Sequence, residues 1–141
     1  MLGGVEIPHE KGLLGHSDAD VLLHAVTDAV LGAAGLPDIG DLFPDTDPAY
    51  KDADSRMLLA KAMDRVRTKG FAVNNVDIIV HAEAPKLSPY KRRMSESVAA
   101  VMGVPADRVS VKAKTNEGLG PVGQADAIAC TAVAAVIRGI G

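Results

Sequence analysis

The sequence predicts a single α+β (α/β layered) domain, with one mixed β-sheet and helices packed on one face. Helical and strand patterns alternate along the 141 residues, and this length suits one domain. Hydrophobic residues make up 48% of the chain, which is enough for a core. No internal repeat or linker interrupts the pattern. Alternating helices and strands are typical of a sheet with helices packed against it.

The first half of the chain predicts a strand, a helix, a loop and a second helix. Residues 2–7 have the apolar pattern of a strand, and residues 17–34 have that of a helix. The acidic segment 38–48 lacks periodicity, so we expect a loop, and loops of this length are often functional. A second helix is expected to begin with Asp54 or Ser55 as its cap.

The second half predicts two strands and two helices. The β-branched run at 76–81 predicts a strand, and a helix is expected over 89–102. The alternating segment 108–114 predicts another strand. Three glycines within 118–123 then indicate a turn, after which we expect a final helix.

Composition excludes several classes of function. The net charge of −3 argues against a general nucleic-acid binder, although a local basic pocket could still accept phosphates. No apolar run reaches the ~20 residues that span a bilayer, so we expect no membrane partner. Cys130 is the only cysteine and lies in an apolar run, which predicts a small buried side chain. The lack of a disulfide framework fits a cytoplasmic protein.

Two imidazoles and several carboxylates are crowded into one short, otherwise apolar stretch. Ser17 and Asp20 resemble a capping box, which would place His16 at the N-terminal mouth of a helix. From that cap, Asp20, His24 and Asp28 recur every four residues along one helix face. The pattern fits a metal site, an anion site, or both. It fits equally a hydrogen-bonded histidine beside solvated carboxylates.

Two polar loops follow predicted strand ends. In the first, Pro85 stiffens the chain and Lys86 offers a cation, so the loop could hold a flat ring and a phosphate. In the second, Lys114 and Thr115 suit phosphate oxygens, and Glu117 suits a hard cation such as Mg²⁺. Either loop could instead be a plain solvated connection.

Several motifs occur together in a fixed order along the chain. They are Gly-Gly-Val-x-Ile-Pro, His16-Ser17-Asp18-Ala19-Asp20, His24-Ala25-Val26-Thr27-Asp28, Asp38-Ile39-Gly40, Phe43-Pro44-Asp45-Thr46-Asp47, Ala84-Pro85-Lys86 and Lys114-Thr115-Asn116-Glu117. With them the chain resembles the 2-C-methyl-D-erythritol 2,4-cyclodiphosphate synthase family. The resemblance implies a lyase of the non-mevalonate route to isoprenoid precursors. Such an enzyme converts 4-diphosphocytidyl-2-C-methyl-D-erythritol 2-phosphate into the cyclic diphosphate and releases CMP.

The resemblance also implies roles for individual residues. His24 would bind a zinc-type ion with Asp28 supporting it, and Glu117 would bind Mg²⁺ or Mn²⁺. His16 and Thr115 would act in catalysis. The implied substrate contacts are His16, Ser17, Asp38, Ile39, Gly40, Phe43, Pro44, Asp45, Thr46, Asp47, Ala82, Glu83, Ala84, Pro85, Lys86, Leu87, Ser88, Lys114, Thr115, Asn116 and Glu117. Residues 82–88 would form the cytidine pocket.

A homotrimer with active sites between neighbouring subunits is implied as well. In the family, an Asp-x-His segment on an upstream strand joins His24 at the ion, and residues 1–141 contain no such segment. We therefore expect one cyclodiphosphate synthase domain that is N-terminally incomplete and holds this ion poorly. Two other functions stay open: an impaired trimeric remnant that binds cytidine nucleotides, and a metal-dependent phosphohydrolase.

Overall fold

Helices and strands of the described residues alternate between residues 55 and 114. The computed structural model describes residues 1–9, 12–13, 20–83, 86–115, 117–120 and 128–139. Its elements are β1 (Pro8–His9), β2 (Gly12–Leu13), α1 (Val21–Ala33), α2 (Ile39–Leu42), α3 (Ser55–Thr68), β3 (Phe71–His81), α4 (Lys91–Met102), β4 (Val109–Lys114) and β5 (Ala129–Arg138). Short 3₁₀ turns precede α4 and β4. None of the helices in these ranges is long and apolar enough to cross a membrane.

The three long strands form a mixed sheet with β3 at its centre. β4 pairs with β3 in parallel, and β5 pairs with it antiparallel. Helices α1, α3 and α4 pack together with the buried side of the sheet, where Val76, Ile78 and Val80 of β3 are buried. One core results, so the predicted α+β domain with a mixed sheet is confirmed.

The opposite side of the sheet lacks a cover among the described residues. Side chains of β5 alternate between half-buried and exposed along the whole strand. Val133 and Ile137 are 66% and 54% exposed, although both are apolar. The described helices therefore leave one face of the sheet open to solvent, with these two apolar side chains exposed on it.

The prediction of a final helix is wrong for residues 129–138, because they form β5, and residues 121–127 lie outside the described residues. Its alanines favour a helix by intrinsic propensity, but pairing with β3 and a half-buried position on the pleated sheet outweigh that preference. Cys130 points to the half-buried side of β5, and burial raises the pKa of its thiol to about 12, with a smaller effect from Asp20. The thiol is therefore protonated at neutral pH.

Two predictions about the first half of the chain are also wrong. Residues 2–7 do not form a strand, because Gly3 and Gly4 adopt positive φ angles and turn the chain so that Leu2 pairs with Val5. The segment 38–48 is not entirely loop, since it contains the one-turn helix α2.

Helix boundaries elsewhere agree closely with the sequence. α3 begins after the cap Asp54, and α4 ends at Gly103, which has the left-handed backbone conformation that glycine tolerates. The first helix begins at Val21, later than predicted, and its cap is Asp20. Residues 14–19, including Ser17, lie outside the described residues.

Candidate functional site

A cavity of about 470 Å³ opens between α1, α2 and the segment that leads into α3. Its lining includes one imidazole, two carboxylates and two aromatic rings. The lining residues are His24, Ile39, Gly40, Phe43, Pro44, Asp45, Thr46, Tyr50, Asp52, Ala53 and Leu58. Seven of these eleven carry roles implied by the resemblance, so folding brings that part of the predicted set together.

The N-terminus of α1 is fixed by a buried carboxylate. Asp20 accepts hydrogen bonds from the backbone N–H groups of Gly3 at 2.9 Å, Gly4 at 2.8 Å and Leu23 at 3.1 Å. Asp20 therefore serves the start of the helix, as the predicted capping box indicates, and it is itself the cap of α1. Asp20 is only 5% exposed, because its side chain turns back to cap the helix and hold the glycine turn.

His24 lies one turn into α1 and faces the cavity. Its ring is half-buried, and its Nε2 atom is 3.2 Å from Oγ of Ser55. Ser55 is the first residue of α3 and is only 5% exposed. Sequence reasoning considered Ser55 solely as a helix cap and missed this contact, since only the packing of α1 against α3 creates it.

Asp28 lies one turn further along α1 and holds α2 in place. Its Oδ1 atom accepts the backbone N–H of Ile39 at 2.8 Å. The carboxylate of Asp38 caps the same short helix by accepting the N–H of Asp41 at 3.0 Å. Two carboxylates thus fix the backbone at Ile39 and Gly40, which line the cavity. Support of His24 by Asp28 stays a prediction.

An aromatic pair forms part of the remaining wall. The rings of Phe43 and Tyr50 meet edge to face, with centroids 5.2 Å apart, and the guanidinium of Arg65 lies 6.0 Å from the Phe43 centroid. Phe43 is buried, whereas Asp45 and Thr46 are exposed at the cavity. Asp47 is not in the lining, and its carboxylate accepts the N–H of Ala49. Tyr50 and Asp52 also line the cavity, although neither belongs to a motif of the sequence.

A second group of predicted site residues lies at the carboxyl ends of β3 and β4. The two strands end side by side, with His81 opposite Lys114, and the N–H of Ala82 donates to the carbonyl of Lys114 at 3.0 Å. Ala82 and Leu87 are buried, and Glu83 is half-buried. The exposed members of this group are Lys86, Ser88, Lys114, Thr115 and Glu117.

The turn after β4 contains a non-glycine residue with a positive φ angle. Glu117 has a φ of 53°, in the left-handed region, and its N–H lies 3.4 Å from Oγ1 of Thr115. The turn holds the Glu117 carboxylate exposed near the strand ends. Five predicted site residues lie outside the described residues, namely His16, Ser17, Ala84, Pro85 and Asn116. Among the described residues, none of the strand-end group lines the His24 cavity.

Comparison with known proteins establishes the family. The model of the YgbB family matches residues 1–137. The chain belongs to the YgbB family. The 2-C-methyl-D-erythritol 2,4-cyclodiphosphate synthase of Bordetella avium is 59% identical over 138 residues, covering 98% of this chain and 85% of that relative. The synthase of the same name from Burkholderia ambifaria is 56% identical, covering 98% and 86%.

Solved structures agree with this YgbB assignment. A 2C-methyl-D-erythritol-2,4-cyclodiphosphate synthase in a CDP-bound form gives a TM-score of 0.86 at 38% identity, covering 97% of this chain and 89% of that protein. The IspF protein of Plasmodium falciparum, solved as a CDP complex, gives 0.84 at 35% identity, covering 99% and 84%. The bifunctional IspDF of Campylobacter jejuni gives 0.88 at 44% identity and covers 99% of this chain, which spans only 38% of that protein.

The described part of this YgbB chain does not fit a complete metal centre. A catalytic zinc ion usually has three protein ligands and one open position. Within the described ranges, no group of three His, Cys, Asp or Glu side chains lies close enough to hold an ion. His24 and Glu117 each offer one side chain as a ligand, but neither has two further protein ligands among the described residues.

Proposed function

We propose that this chain catalyses the reaction for which its relatives are named, formation of 2-C-methyl-D-erythritol 2,4-cyclodiphosphate with release of CMP. The observation that carries the proposal is the cavity, which gathers His24 with segments of two separate motifs of the resembled family. Relatives 56% to 59% identical to this chain bear the synthase name. This reaction makes the chain a cyclising phosphorus–oxygen lyase.

The chemistry requires no activated serine or cysteine. An oxygen of the substrate's 2-phosphate attacks the β-phosphorus of the same molecule, so the nucleophile is already an anion. A new P–O bond closes the ring, the bond from the β-phosphorus to the CMP oxygen breaks, and CMP leaves. The protein must fold the substrate into a ring and offset crowded negative charge.

The two groups of site residues suit these two tasks. We assign the methylerythritol hydroxyls to Asp38, Ile39 and Gly40, whose backbone is fixed by hydrogen bonds, and the covering segment to residues 43–47. The cytidine would bind at residues 82–88, and two relatives were solved with bound CDP. Lys114 and Thr115 would contact the phosphates beside it.

Four further assignments rest on the resemblance alone. We assign phosphate contacts to His16 and Ser17, and catalytic roles to His16 and Thr115. Divalent ions at His24, of the zinc type, and at Glu117, as Mg²⁺ or Mn²⁺, stay predictions. Such ions would offset the charge of the diphosphate, and no step above depends on them.

A homotrimer would explain two features of the fold. The uncovered face of the sheet exposes the apolar side chains of Val133 and Ile137 beside the Lys112–Asp77 ion pair, and exposed apolar side chains that lie together are typical of a subunit interface. No described residue belongs to both the strand-end group and the lining of the His24 cavity, so the strand-end group of one subunit could complete the His24 cavity of its neighbour. We therefore place each active site between subunits, and we propose a cytoplasmic location.

The decisive experiment supplies the purified chain with 4-diphosphocytidyl-2-C-methyl-D-erythritol 2-phosphate and Mg²⁺. ³¹P NMR and chromatography should detect the cyclic diphosphate and an equal amount of CMP. Release of inorganic phosphate would instead support a phosphohydrolase. Binding of CDP without turnover would support the impaired remnant. The matched control is Lys61→Gln, a change on the outer surface of α3 that should leave activity unchanged.

A further inference from the structure

Tyr50 lies in the wall of the His24 cavity, and both its backbone and its ring are fixed by the protein. Its N–H donates to the carbonyl of Asp47 at 2.9 Å, and its own carbonyl accepts the N–H of Ala53 at 3.2 Å. The half-buried ring packs edge to face on Phe43, which is only 5% exposed and belongs to the core. The phenol is therefore held in place by contacts within one subunit.

These contacts do not use the hydroxyl of Tyr50. Among the described residues, this hydroxyl has no hydrogen-bonding partner. A phenol hydroxyl can both donate and accept a hydrogen bond, and a tyrosine typically combines an apolar contact of its ring with a polar contact of its tip. Packing on Phe43 accounts for the ring, so the hydroxyl is available to a ligand in the cavity.

The charges of the lining indicate which part of a ligand suits this cavity. Asp45 and Asp52 contribute carboxylates, and apart from the imidazole of His24 the described lining has no basic side chain. Carboxylates repel phosphate groups, but they accept hydrogen bonds from hydroxyl groups. Apolar lining residues such as Leu58 suit carbon atoms. The wall near Tyr50 therefore suits an uncharged polyol better than a phosphate.

We propose that Tyr50 is a specificity-determining residue whose hydroxyl forms a hydrogen bond with a free hydroxyl of the polyol part of the ligand. The proposal rests on the proposed function, in which the substrate is a phosphorylated methylerythritol. The oxygens on carbons 2 and 4 of that polyol carry phosphate groups, so the hydroxyls on carbons 1 and 3 are free. Tyr50 adds a side-chain contact to the segment 38–40, which is assigned to the same hydroxyls.

Tyr50→Phe removes the hydroxyl and keeps the ring on Phe43. We expect KM for the substrate to rise about fivefold, the size of one neutral hydrogen bond, while kcat changes by less than about twofold. The midpoint of urea denaturation should stay the same, because the hydroxyl has no partner among the described residues. An unchanged KM in Tyr50→Phe would overturn the proposal.

Tyr90→Phe is the matched control, because Tyr90 is the other tyrosine of the chain and is half-buried as well. The guanidinium of Arg93 lies 4.8 Å from the centroid of its ring, and Tyr90 is not in the cavity lining. Its variant should leave KM and kcat unchanged. An equal rise of KM in both variants would contradict a specific role of Tyr50.

Substrate analogues that lack the hydroxyl on carbon 1 or on carbon 3 test the contact itself. For one analogue, wild type and Tyr50→Phe should have the same KM, because neither pair can form the hydrogen bond. For the other analogue, the fivefold difference should persist. A fivefold difference with both analogues would show that Tyr50 contacts neither hydroxyl, and the proposal would be wrong.

A binding experiment separates this proposal from the proposed function. In Tyr90→Phe labelled with ζ-¹³C-tyrosine, Tyr50 gives the only tyrosine signal. Saturating 2-C-methyl-D-erythritol 2,4-cyclodiphosphate should shift that signal, whereas CDP, which lacks the polyol, should not. No shift with the cyclic diphosphate, or an equal shift with CDP, would refute the contact. A chain without cyclase activity would contradict the proposed function, while these spectra would still decide the role of Tyr50.

Discussion

The two groups of site residues differ in how firmly the subunit itself holds them. Around the His24 cavity, Asp20, Asp28 and Ser55 bond to backbone or imidazole groups across 11 to 35 residues of sequence. At the ends of β3 and β4, side chains such as Lys86, Lys114 and Glu117 are exposed. The cavity is therefore preorganised within one subunit. The strand-end group is the part that another subunit could order.

The largest effect is expected on the uncovered sheet face. Val133→Lys places a charge in the apolar surface that we assign to the trimer, so the trimer should dissociate and activity should fall about 100-fold or more. Analytical ultracentrifugation measures the mass, and circular dichroism checks the fold. Ala100→Lys, at an exposed position of α4, should change neither. An active monomeric Val133→Lys protein would contradict sites shared between subunits.

Glu117 tests the strand-end group without a change to the uncovered sheet face. Glu117→Gln removes the charge but keeps the shape, and turnover should fall about 100-fold if the carboxylate acts in charge stabilisation. Because the side chain is exposed, the free energy of unfolding should change by less than about 0.5 kcal/mol. Steady-state kinetics and urea denaturation measure the two quantities. Normal activity in Glu117→Gln or Glu117→Ala would refute the assignment.

Asp20 should show the opposite pattern, with a large effect on stability. Asp20→Asn weakens the bonds from Gly3, Gly4 and Leu23 and leaves a buried amide poorly paired, which should cost about 2–4 kcal/mol. Urea denaturation measures the loss. Asp38→Asn, which changes the exposed cap of the short helix α2, should cost less than about 1 kcal/mol. Equal losses in both variants would contradict the structural role of Asp20.

A smaller effect is expected at Asp28. Asp28→Asn weakens the bond to the N–H of Ile39 and loosens α2 at the cavity, so KM should rise about fivefold, the size of a weakened hydrogen bond. Unfolding should change little, because Asp28 is exposed. A fall in kcat with unchanged KM would indicate a direct role in the reaction.

The smallest effect concerns pH and the cap of α3. The side-chain and backbone hydrogen bonds from Arg56 lower the pKa of Asp54 below its ordinary value of 3.8. A carboxyl whose pKa is lower in the folded state stabilises the protein above about pH 4, and this contribution is lost as the pH falls through the lowered pKa. Asp54→Asn should remove that pH dependence, measured by thermal unfolding between about pH 6 and pH 3. An unchanged dependence would show that the pair contributes nothing, as exposed pairs sometimes do.

Local patterns predicted most of the fold correctly. The amphipathic spacing of α3 and α4 and the β-branched residues of β3 are strong local signals. β5 was predicted as a helix, because its alanines carry no local sign that β3 will pair with them. The glycine turn at residues 3–4 was likewise predicted as strand, since its conformation depends on the distant carboxylate of Asp20.

For the candidate site, motif order in the sequence selected seven residues of the cavity lining, including His24, Ile39 and Phe43. The motif order did not indicate Tyr50, Asp52 or Ser55, because residues 50–55 contain none of the motifs. Their positions depend on how the chain between α2 and α3 folds back over α1. The roles assigned to the site residues stay predictions until the variants are measured.

By itself, the sequence determined the family, the α+β class and the residue types available for binding a phosphorylated ligand. The tertiary structure decided which of those residues meet. Asp20 caps α1 and also binds the distant backbone of Gly3 and Gly4, and Ser55 contacts His24 from 31 residues away. The physical reason is that hydrogen bonds and burial between distant segments depend on tertiary packing. Local sequence patterns do not indicate how those segments pack.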